Sequence, residues 1–360
     1  MGLSGLGEKR LVIVAGKGGV GKTTTSAAIA LEFARLGRRT LLVTVDPAKR
    51  LADSLGVDVG ATPTAVQPRL WAQMLDPSEV IARHFKERMP EAKVTEHPLF
   101  KTVTSNLPGL NELMAIGTLN DLRKANAYDA IVVDTAPTGH ALSFLSAPKA
   151  IQEVLSERSI IGWAVKGYAV YQKLAGAARG FQNIWRKEKK DTPPDIDFEK
   201  IFEDMEGEAK RIQEFLRDPE HSALVLVTVP EKLPVEETCD LHAAVVELGM
   251  TAHAVVVNKV QPDTMGPFSQ RLDELAGNAS AADDFGRAAA QATGDDPGFV
   301  AALVEAAEFG RIRRRMNLEW VAELEKRLPH VPRAQMPLFR EDVQGIKRLG
   351  EFRAVLFAEA

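Results

Sequence analysis

The stretch 11-LVIVAGKGGVGKTTTSAAIA-30 decides the fold of this 360-residue chain. Its apolar run is typical of a buried parallel strand and stops at Gly16, where a glycine-rich loop begins. A small-residue helix over 22–36 follows, with Gly37 as its predicted C-cap, and then a second apolar run begins. Strand, glycine turn, helix and strand form a βαβ unit, for which we expect a right-handed crossover.

Six short apolar runs along the chain predict buried, mostly parallel strands. They occupy residues 10–15, 40–45, 70–75, 129–134, 223–229 and 253–258. We therefore predict an α/β fold with a doubly wound, mostly parallel sheet, the whole chain (1–360) being one domain. The long segments at about 76–127, 150–215 and 262–330 are predicted to be helical elaborations, the last loosely ordered around GNASAADD and GDDPG.

Composition excludes several classes of protein. The chain is 45% hydrophobic and 26% charged, as soluble globular proteins are, and its net charge of −4 gives no reason to expect nucleic-acid binding. No apolar run approaches the roughly 18 residues of a transmembrane segment, and the N-terminus lacks the apolar core of a signal peptide. The single cysteine, Cys239, cannot form an internal disulfide or, alone, a thiolate zinc site. We expect a cytoplasmic protein.

The loop at residues 16–23, GKGGVGKT, fits the phosphate-binding pattern G-x-x-x-x-G-K-[ST]. Glycines let successive backbone N–H groups point at phosphate oxygens, and the following helix N-terminus adds unpaired N–H groups and its dipole. Lys22 is predicted to reach the β and γ phosphates, and the Thr23 hydroxyl to ligate Mg²⁺. The alternative, a strand–helix turn without a ligand, is disfavoured because spacing, strand and helix all agree. The predicted phosphate-binding residues are Gly16, Lys17, Gly18, Gly19, Val20, Gly21, Lys22, Thr23 and Thr24.

Two aspartates leave predicted strands at the carboxyl edge of the sheet, where doubly wound folds bind ligands. Asp134 closes the fourth strand, and we predict that it steadies the water shell of the magnesium ion. Asp46 follows the second strand immediately before Pro47, and we predict that it also contributes to the metal site and orients the attacking water. The plainer alternatives are a strand-capping aspartate and a turn-starting Asp-Pro pair.

A second lysine, Lys17, stands at the start of the loop, where backbone amides already face the phosphates. It cannot share the task of Lys22, so we predict that it points across an interface to the γ phosphate of a second subunit. There it would act as an arginine finger does. The alternative is an ordinary solvated lysine.

The string GKGGVGKTT (16–24) resembles the deviant Walker A loop of one class of P-loop ATPases, which includes signal-recognition, division-site and nitrogenase iron proteins. In that class the early lysine acts in trans. Further stretches narrow the resemblance to the arsenical-pump and tail-anchored-protein targeting (GET) ATPase family. VTVDPAKRLADSLG (43–56) is similar to its first switch, and Asp46 matches the water-activating aspartate.

Two more regions carry the same resemblance. DTAPTGHALSFLSAP is similar to the second switch of the family, with Asp134, Gly139 and His140 in place. VVVNKV and QMPLF resemble its adenine pocket, which implies that Asn258 and Pro337 bind the base. The resemblance implies an ATPase that uses ATP and Mg²⁺ and hydrolyses ATP to ADP and phosphate as a homodimer.

The chain also departs from the family pattern. Targeting members of the eukaryotic type clamp a zinc ion between subunits with a CxxC pair, and this chain has no second cysteine, so we expect no zinc. For the same reason it lacks the cysteines with which arsenite-stimulated members bind the metalloid. It holds one ATPase half where arsenite pumps often hold two, and Arg50 stands where targeting members usually have Asn.

The sequence leaves the biological role of the ATPase open. In targeting members the region after the second switch forms an apolar groove, and residues 156–187 are apolar enough to line one for a protein client or to form plain core. A methionine-free stretch, 150–200, argues against a promiscuous groove. Three hypotheses remain: a targeting or chaperone-like ATPase, the energising subunit of an anion or metalloid exporter with a membrane partner protein, and a positioning or assembly ATPase.

Overall fold

The computed structural model describes residues 3, 5–45, 50–75, 110–135, 138–155, 198–263, 279–294 and 297–358. In these residues eight strands form one sheet. The strands are β1 (Leu11–Gly16), β2 (Thr40–Thr44), β3 (Thr64–Gln67), β4 (Leu70–Met74), β5 (Ala130–Asp134), β6 (Ser222–Thr228), β7 (Ala252–Val260) and β8 (Arg333–Pro337). The α-helices of the described residues are α1 (Lys22–Arg35), α2 (Arg50–Leu55), α3 (Leu110–Lys124), α4 (Thr138–Leu155), α5 (Phe198–Arg217), α6 (Lys232–Glu247), α7 (Ala279–Thr293), α8 (Pro297–Arg327) and α9 (Gly345–Leu356).

The strand order is β3-β4-β2-β5-β1-β6-β7-β8, and only the β3–β4 pair is antiparallel. β1 lies between β5 and β6, with Val14 opposite Asp134 and Gly16 opposite Val227. β2 to β5 lie on one side of β1 in the sheet, and β6 to β8 lie on the other side. The loop after β1 therefore stands at the topological switch point, where open α/β sheets bind ligands.

Apolar side chains cover both faces of the sheet, as buried parallel strands require. On β1, Leu11 and Ile13 pack into one cluster, while Val12 and Val14 pack into the other. The first cluster includes residues of α3, α4, α5, α6 and α8, and the second includes residues of α1, α2 and α9. The predicted doubly wound α/β class is confirmed.

All six predicted strands are present, but the two edge strands were missed. β3 is short and only partly buried, and β8 buries one residue, Met336, completely. Edge strands lack the continuous apolar runs that mark buried strands, so their sequence signal is weak. The predicted helix from Lys22 is confirmed and ends before Gly37, whose φ of 85° is the left-handed conformation of a helix C-terminus.

Loose order was expected in part around GNASAADD and GDDPG, and for the described residues of these stretches that expectation is wrong. Residues 279–293 form α7, and residues 297–327 form the long helix α8, while residues 277–278 and 295–296 lie outside the described residues. Alanine dominates α7, and its high helix propensity outweighs the single Gly286 inside the helix. Among the described residues, none of the helices combines the length and hydropathy needed to cross a bilayer.

An ion-pair cluster fastens the last helix to the first. Glu32 of α1 accepts hydrogen bonds from Arg35 Nε at 2.9 Å and from Arg353 Nη1 of α9 at 2.8 Å. The Glu32 side chain is only 8% exposed. The hydrogen bond from Arg35, then that from Arg353, holds the pKa of Glu32 below its ordinary value, although burial opposes this. α9 also packs directly against α1.

Candidate functional site

The glycine-rich loop follows β1 at the carboxyl edge of the sheet and contains two positions that only glycine fits. A Cβ atom on Gly16 would lie 2.2 Å from the Val227 carbonyl oxygen. A Cβ atom on Gly21 would lie 2.2 Å from Asn258 Nδ2, and the φ of Gly21 is 101°. The loop is therefore held close to β6 and β7, and its sequence is dictated by that approach.

Lys22 begins α1 and is buried. Its ammonium donates a hydrogen bond to the Lys17 carbonyl oxygen at 2.9 Å, so the side chain curls back over its own loop. This position places a positive charge beside the loop and the α1 N-terminus, whose first residues line the same cavity. Such a set of donors suits a phosphate chain.

A hydroxyl–carboxylate cluster lies behind the loop. Asp134, at the end of β5 and 2% exposed, accepts a hydrogen bond from Thr23 Oγ1 to its Oδ2 at 2.7 Å. Ser26 Oγ lies 3.3 Å from the other carboxylate oxygen and 2.9 Å from the Lys22 carbonyl oxygen. Thr135, next to Asp134, donates from its hydroxyl to the Val14 carbonyl at 2.8 Å, which fixes the end of β5 against β1.

These oxygen ligands fit a magnesium ion. Hard cations of this kind bind through one or two carboxylates and hydroxyls, with water and substrate phosphates completing the shell. The described residues contain no group of three or more His, Cys, Asp or Glu that could hold a metal by protein ligands alone. Ser26 was not predicted, yet it lies three residues after Thr23 on the same helix face, so helical spacing could have identified it.

Lys17 is bound within its own chain. Its ammonium donates to Glu237 Oε1 of α6 at 2.8 Å, and the two side chains are 38% and 34% exposed. Glu237 was not predicted, because it lies 220 residues away and no local pattern links the two. The pair stands at the front of the loop, and its exposure leaves the lysine within reach of another molecule.

The end of β7 clamps the loop from the side. Asn258 is buried, donates from Nδ2 to the Val20 carbonyl at 2.9 Å, and accepts at Oδ1 from the Lys259 amide at 2.9 Å. Lys259 has the unusual φ of 59° and donates from Nζ to the Gly19 carbonyl at 3.1 Å. Positive φ in a residue other than glycine is typical of functional sites.

A cavity of about 580 Å³ joins these parts. Part of its lining comes from the loop and the first residues of α1, including Thr23 and Thr24. Another part comes from Pro337, residues 338–339 and 341–344, and Phe352, whose ring is tilted against that of Phe339 with centroids 5.5 Å apart. The volume suits a small ligand with a polar end and an apolar end, as a nucleotide has.

The structure thus brings together Lys22, Thr23, Asp134, Asn258 and Pro337 around one cavity, or directly behind it in the case of Asp134. Asp46 and the segment 156–187 lie outside the described residues, and their roles stay predictions. Gly139 and His140 lie in the first turn of α4, where only the backbone is described.

Comparison with known proteins bears on the same region. The sequence profile of a family described as anion-transporting ATPase matches residues 9–275. An ATPase ASNA1 homolog of Cryptosporidium parvum is 32% identical over 251 residues, which cover 69% of this chain and 64% of the relative. The ATPase GET3 of Malassezia globosa is 29% identical over 255 residues, covering 69% and 72%. A protein of Aquifex aeolicus named for the arsenical pump-driving ATPases is 24% identical over 367 residues, covering 97% and 79%.

Proposed function

This chain belongs to the anion-transporting ATPase family and is thereby an ATP hydrolase, and from that membership we propose that it hydrolyses ATP to ADP and phosphate as a Mg²⁺-dependent homodimer. The observation that carries this is the contact of Thr23 and Ser26 with Asp134 behind the loop. A hydroxyl and a carboxylate meet there beside a buried lysine, which is the arrangement that phosphoryl transfer from a nucleotide requires.

Each described residue then has a specific task. The loop amides and the Lys22 ammonium bind the phosphates, and the phosphate oxygens replace the Lys17 carbonyl as the partner of Lys22. Thr23 and Asp134 would hold the magnesium ion, directly and through water. When bound, that ion neutralises charge on the phosphates. Asn258 keeps the loop in shape through the Val20 carbonyl, and Pro337 borders the base.

Two further tasks complete the proposed reaction. Asp46 orients the water that attacks the γ phosphate, as its place after β2 and the family resemblance suggest. Lys17 leaves Glu237 and reaches the γ phosphate in the partner subunit. The Lys17–Glu237 pair supports this because both side chains are more than a third exposed, and pairs near the surface contribute only about 0–1 kcal/mol, so breaking the pair to reach a phosphate costs little.

We assign the ATPase cycle to the binding and release of a protein client. The resemblance to targeting ATPases supports this, and so does the similarity to the ATPase GET3 of Malassezia globosa, which is 29% identical over 255 residues. Release of phosphate would free the switch segments 46–56 and 134–147, and so change the surface offered to the client.

A second candidate, the energising ATPase of an anion exporter, is favoured by the family description and by the Aquifex aeolicus relative. The chain itself gives it less support for arsenite. Its single cysteine, Cys239, lies buried in α6, and burial raises the pKa of that thiol, which disfavours the thiolate that would bind the metalloid.

The discriminating experiment is capture of partners by the Asp46→Asn variant in MgATP, analysed by mass spectrometry, with the same variant in EDTA as the control. Enrichment of proteins with a terminal membrane anchor supports the client proposal, and enrichment of an integral permease supports the exporter. Stimulation of wild-type ATP turnover by an oxyanion would also favour the exporter. Should wild-type protein neither bind nor hydrolyse MgATP, the proposed function is wrong.

A further inference from the structure

One wall of the cavity comes from α2, the helical part of the first switch, in which no residue has so far been given a contact with the nucleoside. Arg50, Asp53 and Ser54 line the cavity together. Their spacing of three and four residues places them on one face of the helix. Leu51 and Leu55, on its other face, are buried in the cluster that includes residues of α1 and α9. The apolar side of α2 therefore packs this wall against α1 and α9.

Ser54 has an unsatisfied polar atom. Its side chain is 8% exposed, and among the described residues its Oγ is buried and has no hydrogen-bond partner. A serine in a helix can usually bond the carbonyl four residues earlier, and this hydroxyl does not. Buried hydroxyls are almost always paired, so a missing partner calls for an explanation.

The position of Ser54 relates it to one part of the cavity lining. Two residues beyond it, a Cβ atom on Gly56 would lie 3.8 Å from Gly345 Cα at the start of α9. Gln344, the residue before that helix, and Phe352 within it line the same cavity as Ser54. Ser54 therefore belongs to the part of the lining that lies next to the start of α9, and the phosphate-binding loop forms another part.

We infer that Ser54 is a nucleoside-binding residue, whose hydroxyl turns into the cavity and gains its missing hydrogen-bond partner from the bound nucleotide. The inference rests on the proposed function in that it takes the cavity as the nucleotide site. The partner is a polar group of the nucleoside, either a ribose hydroxyl or a base edge, and not a phosphate. α2 (Arg50–Leu55) lies within the first switch (43–56), so this contact would link nucleoside binding to that switch.

The test is the Ser54→Ala variant, measured by calorimetric titration with MgADP and by thermal melting of the ligand-free protein. Loss of one neutral hydrogen bond should weaken ADP binding about three- to tenfold. The melting temperature of the empty protein should stay the same or rise, because the variant removes a buried hydroxyl that has no partner. A merely structural serine would instead lower it.

The matched control is Ser222→Ala. Ser222 lies at the start of β6, away from the cavity, and its hydroxyl donates to the Phe215 carbonyl at 2.8 Å. This variant should lower the melting temperature and leave ADP affinity unchanged. The two serines then show opposite patterns in the two measurements.

Nucleotide analogues identify the partner group. The difference between wild type and Ser54→Ala should vanish for one of three probes: 2′-deoxy-ADP, 3′-deoxy-ADP or inosine diphosphate. It should persist for the other two, and inorganic tripolyphosphate should show no difference. Equal ADP affinity in the two proteins, or an equal loss for tripolyphosphate, overturns the inference and leaves the proposed function intact. Absence of nucleotide binding by the wild-type protein overturns both.

Discussion

The back and the front of the glycine-rich loop are built in opposite ways. Behind it, Asp134 is 2% exposed and meets two hydroxyls, whereas in front of it Lys17 and Glu237 form an ion pair with both side chains more than a third exposed. The buried cluster is held rigidly because its polar groups are paired with one another inside the protein. The partly exposed pair contributes little and exchanges partners easily. We therefore expect the back of the loop to keep a fixed geometry and Lys17, at the front, to move.

Replacing Lys17 by Ala tests the mobile front and should have the largest effect. We expect ATP affinity within about threefold of wild type, and turnover lower by about 10³ or more, as when an arginine finger is removed. Phosphate release measures turnover, and calorimetry measures binding. Lys9→Ala is the control, because Lys9 is an exposed lysine whose ammonium bonds the Pro219 carbonyl elsewhere. Full turnover in Lys17→Ala would refute a role for Lys17 in trans.

Replacing Lys22 by Ala tests the fixed interior. The variant loses the buried ammonium that faces the phosphates, so ATP affinity should fall about 100-fold or more. Binding is measured by calorimetry, with a thermal melt to show that the protein remains folded. If Lys22→Ala bound ATP as tightly as Lys17→Ala does, the distinction between the two lysines would be wrong.

The Glu32 cluster sharpens the comparison, because its carboxylate is buried as that of Asp134 is. Glu32→Gln removes the charge that binds Arg35 and Arg353, and should lower the free energy of unfolding by about 2 kcal/mol. Urea unfolding at pH 7 measures this. Glu247→Gln, at an exposed position of α6, is the control and should change stability by less than about 0.5 kcal/mol.

The Glu32 cluster also predicts a pH dependence of the free energy of unfolding. The folded pKa of Glu32 lies below its ordinary value of 4.5, so its contribution is complete above that pH and is lost as pH falls through the folded pKa. The stability difference between wild type and Glu32→Gln should therefore narrow below pH 4.5. A difference that stayed constant down to pH 3 would show that the Glu32 charge is not what stabilises the contact.

The smallest effect is expected for Glu237→Gln, which weakens the exposed pair without removing Lys17. Turnover should rise about twofold, because the lysine is released more readily, and stability should change by less than about 0.5 kcal/mol. Glu236→Gln, next to it on α6, should change neither quantity. A fall in turnover as deep as that of Lys17→Ala would mean that Glu237 positions the lysine for catalysis.

The same contrast separates what could be predicted from sequence. Gly16, Lys22 and Thr23 form a local pattern, and Asp134 ends a buried apolar strand, so both the sheet and the back of the site could be derived from spacing. The fold brings Glu237, Lys259 and Ser54 to the site from positions far from the loop in the sequence. Helix and strand periodicity relate only residues that are close in sequence, so no pattern could identify these three. The edge strands β3 and β8 were missed for a related reason, since half-exposed strands carry weak patterns.

The bond from Arg353 to Glu32 has a consequence for how the molecule distinguishes its substrate from its product. α1 contributes Thr23 and Thr24 to the lining of the cavity and α9 contributes Phe352, so the bond holds together two helices that both border it. If the proposed function is right, this frame binds the part that the triphosphate and the diphosphate have in common, and we expect it to bind that part equally in both. Sensing of the terminal phosphate is thereby left to the segments that this frame does not hold.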